Sequence, residues 1–174
     1  MQLFAVLSSL PDDSHADPAQ FIQRAASGSG EWQSSVWTPA NRQLVSVFES
    51  EVAPGMPGEV MRVVEVSPDE FLPIANELDP SLAADPEAQE QGKLVVIRRG
   101  VTGWTEDDLR SAALRAMMCS FEYPELTWLR TYWAPEAGTT VCLFKVKDHE
   151  QAREHSKRSR IPCEEVLDAV EFTP

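Results

Sequence analysis

Cys142 and His155 carry side chains of the types that hold soft divalent metals. Thiolate and imidazole together suit nickel, zinc or copper. His155 follows Ala152 by three residues in a segment of helical spacing, so both face one way, toward a sheet. Taken singly, each has a plainer role, as a satisfied buried imidazole and a small buried apolar residue. His149 and Asp148, at the start of the same segment, are exposed alternatives. A second chemistry would use aromatic residues. Trp32, Trp128, Tyr132 and Phe144, with Arg130 among them, could line a concave site for a small aromatic molecule. A cation there is costly to bury unpaired, so Arg130 should meet an internal carboxylate or an anionic ligand. Such a site would bind its ligand or, without a cofactor, transform it. The sequence offers no Ser-His-Asp order that reads as a catalytic triad, no Gly-rich phosphate loop and no HExxH motif.

Composition narrows the partners. The chain has 174 residues, 43% of them hydrophobic, enough for one ordinary core or two small units that share one. Its net charge of −13 repels phosphate backbones. The one basic cluster, "REHSKRSR" at 153–160, reads as the C-terminal end of a helix, where cations suit the dipole. Nucleic acid is therefore not an expected partner; a metal ion or a small molecule is. No apolar run is long enough for a membrane span. The start, "MQLFAVLSSL", lacks the basic residues of a signal peptide, so a cytoplasmic protein is expected. Cys119, Cys142 and Cys163 form no CxxC pair and should be free thiols.

The elements that must position these residues come in two series. "EWQSSVWTPANRQLVSVF" and "TWLRTYWAPEAGTTVCLF" align without a gap, ninety-six positions apart, at Trp32/Trp128, Trp37/Trp133, Pro39/Pro135 and Phe48/Phe144. Each reads as a hairpin. In the second half, "KLVVIRRG" is a strand and "TEDDLRSAALRAMMCSF" a helix capped by Thr105, with Leu109, Ala112, Ala113, Ala116 and Met117 on one stripe. A helix capped by Asp148 and a last strand, "EEVLDAVEF", follow the hairpin. In the first half, a strand at 1–9 and a helix with Asp17 as cap and Pro18 first precede the hairpin. "VAPGMPGE" then forbids a second helix, and "VMRVVEVSP" at 60–68 matches 166–174.

This order predicts an α+β fold of two ferredoxin-like (βαββαβ) units, the first lacking its second helix. Residues 1–67 would form a degenerate repeat, 68–92 an acidic connector with two short helical turns, and 93–174 the complete repeat. Each unit leaves one sheet face bare, so the two should pack sheet to sheet as a pseudo-dimeric α+β barrel, a monomer or weak homodimer. Alternation then places Val45, Val47, Val141 and Leu143 under the helices. Ser46, Phe48, Cys142 and Phe144 would face an inter-sheet cavity lined by the Trp pairs. On this alternation Cys142 and His155 lie on opposite faces and meet only near the sheet edge; the reverse alternation would put them together.

The second half also resembles a small ferredoxin-like family of unknown function whose members are often labelled nickel-binding proteins. The resemblance rests on Thr140, Cys142, Asp148, Glu150, His155, Pro162 and Val166, within 93–174. Phe144 stands where that family usually has Tyr, Arg160 replaces a Gly, and Arg98 stands where members often carry Glu. The first half has Ser46 in place of the Cys and lacks the His helix. The resemblance implies a dimeric α+β barrel and one divalent-metal site, nickel-type, in the second half, with His155 and Cys142 as the ligand pair.

Overall fold

Local signals become elements by familiar routes. The computed structural model describes residues 2–11, 17–26, 30–53, 55, 57–64 and 92–174. The expected connector helices, and the strand beyond Val64, lie outside the described residues. Strand β1 is Gln2–Ser9 and helix α1 Pro18–Ala26, where Asp17 Oδ1 accepts from Ala19 N at 2.9 Å. Strands β2 (Glu31–Thr38) and β3 (Gln43–Ser50) form the first hairpin, and β4 is Glu59–Val64. After the connector come β5 (Lys93–Gly100) and helix α2 (Glu106–Ser120). The second hairpin is β6 (Thr127–Ala134) and β7 (Thr139–Val146), followed by helix α3 (His149–Arg158). Two short strands, β8 (Glu165–Asp168) and β9 (Val170–Phe172), end the chain.

Both caps foreseen in the second half form. Thr105 and Asp108 make a reciprocal capping box at α2, and Asp148 Oδ1 accepts from Gln151 N at 2.8 Å at α3. Each satisfies backbone N–H groups that the first turn cannot pair.

The assembly of these elements corrects the expected fold. The strands make one antiparallel sheet of nine, in the order β8-β5-β7-β6-β4-β1-β3-β2-β9, carrying three short helices among the described residues. It is a mostly β near-barrel, not two ferredoxin-like units with separate sheets face to face, and not a ferredoxin-like α/β barrel. The physical reason lies at the strand edges. An edge strand presents unpaired N–H and C=O groups. Here β4 meets that need against β6, with Arg62 opposite Trp133 and Val64 opposite Thr131. The final strand breaks at Ala169: β8 pairs with β5 and β9 with β2. Because β8 and β9 are consecutive in the chain yet end the sheet on opposite sides, the sheet curls almost shut.

The alternation is also the reverse of the expected one. Val45, Val47, Val141 and Leu143 do not lie under helices; they join Ala5, Val36, Met61, Val96, Tyr132 and Ala134 in the inner core. Cys142 and Phe144 face outward, in a layer with Val95, Ile97, Val146 and Ala152 of α3. Period-two alternation assigns residues to two faces without saying which face a helix covers, and here both faces are buried. Burying each large apolar side chain contributes about 1.5–3 kcal/mol, so the two layers together fix the register.

Candidate functional site

The outer layer of the second half brings His155, Cys142 and Phe144 onto one side of the sheet, beneath α2 and α3. His155 is fully buried. Its Nε2 lies 2.7 Å from the carbonyl oxygen of Ala116 on α2. A carbonyl only accepts, so Nε2 carries the proton and Nδ1 presents a lone pair. That Nδ1 is buried and has no hydrogen-bond partner among the described residues. The ring meets Tyr123 edge-on and Phe144 at a tilt, each with centroids 5.9 Å apart. Burial holds the imidazole below its ordinary pKa, the Ala116 carbonyl opposes this, and the nearby Arg99 charge adds to the lowering. The ring is neutral near pH 7.

Cys142 is buried in the same layer, its Sγ 3.8 Å from Thr140 Oγ1 on its own strand. A neutral imidazole that donates one N–H to a backbone carbonyl is oriented as metal-ligating histidines usually are. The fit is partial. Among the described residues no group of three His, Cys, Asp or Glu side chains could enclose an ion. His149, the exposed alternative, places Nε2 2.8 Å from Asp168 Oδ1, which Lys93 Nζ also reaches at 2.9 Å. Hydrogen bonds from Lys93 and from His149 hold the Asp168 carboxyl below its usual range.

The five aromatic and basic residues expected around an inter-sheet cavity are dispersed. Trp32 packs in an outer cluster with Leu10, Ile22, Trp37 and Leu44, over which α1 lies. Trp128 and Phe144 belong to the outer layer of the second half. Tyr132 alone of the five is in the inner core, where burial raises its phenol, with Arg130 opposing and Glu171 adding. Among the described residues the hydroxyl has no hydrogen-bond partner of good geometry, yet Arg130 lies near enough to lower the phenol by hydrogen bonding first and by charge second. Arg130 itself is exposed and donates from Nη1 to Ser34 Oγ at 3.0 Å. The inner core around Tyr132 is otherwise apolar.

A cavity of about 50 Å³ does exist on the other side of the sheet, beneath α2. Trp128, Phe144, Cys142 and Thr140 rise to it from the strands, and Ala112, Ala113 and Ala116 face it from the helix. Arg99 also lines it, a residue that residue type alone did not single out. The signal was present in "VVIRR": Arg99 alternates with Val95 and Ile97, so it shares their buried face.

No curated protein and no solved structure matches the chain. Residues 95–168, which hold Arg99, Cys142 and His155, match the family described as nickel responsive protein SCO4226-like, and to that family this segment is similar.

Proposed function

We propose that this protein is a small binding protein that takes up one divalent transition metal, nickel-type, in its second half. Nδ1 of His155 is the first ligand and the Cys142 thiolate the second. The carrying observation is the fixed tautomer: Nε2–H is committed to Ala116, and the other nitrogen has a lone pair and no partner among the described residues. The family match over 95–168 supports the same ion. Cys142 shares the outer layer with Phe144, which touches the His155 ring. The remaining positions of the ion would be filled from outside this pair, and the Arg99 charge beside His155 opposes a cation. Weak binding is therefore expected.

In this reading residues 93–174 bear the ligand, 1–67 are a degenerate tandem copy that completes the sheet, and 68–92 join them. The tandem relation is supported by matched irregularities. A register shift falls at Trp32/Ser34 and again at Trp128/Arg130. Trp32 Nε1 donates to Ser35 Oγ, and Trp128 Nε1 to Thr131 Oγ1, each at 3.0 Å.

Calorimetric titration with nickel and with zinc tests the metal, on the wild type and on His155→Ala shown by circular dichroism to be folded. A saturable heat for nickel that disappears in the variant is expected. Equal heats from both proteins, or none from either, would remove the reading.

A further inference from the structure

Arg99 is a buried cation in an acidic chain, and among the described residues no carboxylate meets it. It is 3% exposed. Both of its hydrogen bonds leave from Nη1, to Ser156 Oγ at 3.0 Å and to the Pro162 carbonyl at 2.5 Å. A guanidinium has five N–H donors in a planar fork. The Nε–Nη2 edge therefore keeps three N–H groups without a protein partner among the described residues. That edge is the one that grips a carboxylate with two parallel bonds. An unpaired buried charge is among the most unfavourable features a core can hold.

The cavity beneath α2 lies beside this charge. Arg99 lines it, and so does Thr140, which stands opposite Arg99 in the β5–β7 ladder. The rest of the lining is predominantly apolar: Trp104, Trp128 and Phe144 surround the space, and the alanine side chains of α2 leave it unfilled. At about 50 Å³ it exceeds what one water needs, about 10–15 Å³, and is smaller than a cavity of about 150 Å³ that holds a benzene ring. The helix that supplies Ser156 to Arg99 also opens the one basic cluster of the chain, Arg153, Lys157, Arg158 and Arg160. Arg115 on α2 joins that side by donating to the Ser159 carbonyl at 3.0 Å. In a molecule of net charge −13, this is the region where an anion would be drawn in.

We propose that the α2 cavity is a binding site for a short-chain monocarboxylate, its carboxylate on the free edge of Arg99 and its apolar tail between Trp128, Phe144 and Ala113. The propionate class matches the space: an anionic head and a tail of few carbons. Inorganic anions satisfy the charge and leave the apolar wall bare, whereas larger aromatic acids exceed the volume. This site does not depend on metal at His155.

Calorimetric titration of chelator-treated protein with sodium propionate tests it, against sodium chloride and sodium phosphate at matched ionic strength. Tryptophan emission is read in parallel, because Trp104 and Trp128 line the space. The expected result is saturable binding of propionate with a change in emission. Arg99→Met should weaken it about tenfold or more, the scale of a lost charged hydrogen bond. Ala113→Leu, which fills the cavity and leaves Arg99 untouched, should weaken it comparably, and it decides between the outcomes if Arg99→Met does not fold. Propionate binding no better than chloride or phosphate would mark a nonspecific anion effect at the basic cluster and overturn the proposal. So would wild-type affinity in Ala113→Leu, or no saturable binding at all.

Discussion

The two hairpins are built alike and roofed differently. At the β2–β3 hairpin, Ser35 stands opposite Ser46, and the hydroxyls bond to each other at 2.8 Å. At the β6–β7 hairpin the same place is taken by Thr131 opposite Cys142, and Cys142 turns instead to Thr140. The first pair is closed on itself. The second leaves a thiol and a hydroxyl lining a cavity, under two helices that bring a neutral imidazole and enclose a buried guanidinium. The first half has α1 on its hairpin, and Ser8 Oγ bonds the Pro57 carbonyl of the Pro-Gly loop at 2.8 Å. The lesson concerns division of labour: one frame can serve as scaffold where its polar groups are mutually satisfied, and as a site where they are not.

The contrast can be broken most severely at His155. His155→Ala removes the bond to Ala116, one link between α3 and α2, and opens a cavity beside Tyr123 and Phe144. A loss of about 3 kcal/mol in urea-unfolding stability is expected, a scale typical of large-to-small core changes. In the first half, Ser46→Ala leaves the Ser35 O–H without its acceptor, while Ser35 Oγ still accepts from Trp32, and should cost about 1–2 kcal/mol. If His155→Ala costs no more than Ser46→Ala, the second half is not organised around the imidazole.

Acid should act through the same residue. The folded-state pKa of His155 is lowered, so the unfolded chain binds the proton more readily. Stability from this group is complete above its ordinary pKa of 6.5 and declines as the pH falls below that value. A urea-midpoint series from pH 7 downward should show this decline, and His155→Gln should reduce it. An unchanged profile in His155→Gln would assign the acid sensitivity elsewhere.

Smaller effects sharpen the comparison at the helix and turn. Thr105→Ala deletes the α2 capping box and should lower stability by about 1 kcal/mol, read from the thermal midpoint. The hairpin turns differ as well. Gly138 has φ 61°, and a side chain there would come within 2.7 Å of Thr102. Arg42 adopts φ 54° at the corresponding position of the first hairpin, held by bonds from Nε and Nη2 to the Pro11 carbonyl. Arg42→Gly trades backbone strain for those bonds, so its midpoint should move least, within about 0.5 kcal/mol of wild type.

Much of the local structure was legible in the sequence because its causes are local. The caps at Thr105 and Asp148, the two hairpins and the Pro-Gly loop follow from residues within a few positions of each other. What escaped was set by distant partners. Nothing near Arg62 announces Trp133 as its neighbour across the sheet, and nothing near Val170 announces Trp37. Alternation separated Cys142 from Leu143 correctly yet could not tell which of them met the helices. For the site, residue type pointed to His155 and Cys142, whereas Arg99 had to be found through its strand parity with Ile97.

The break at Ala169 has a consequence in time. Strand β2 finds one of its two neighbours only in the last few residues described, with Val36 waiting for Glu171. A ribosome adding about 5–20 residues per second needs on the order of ten seconds to cover that interval. Throughout it the nascent chain shows an open β edge to the crowded medium around it, the kind of surface that recruits other strands. Emergence of β9, rather than early collapse, is then the step at which this edge is covered.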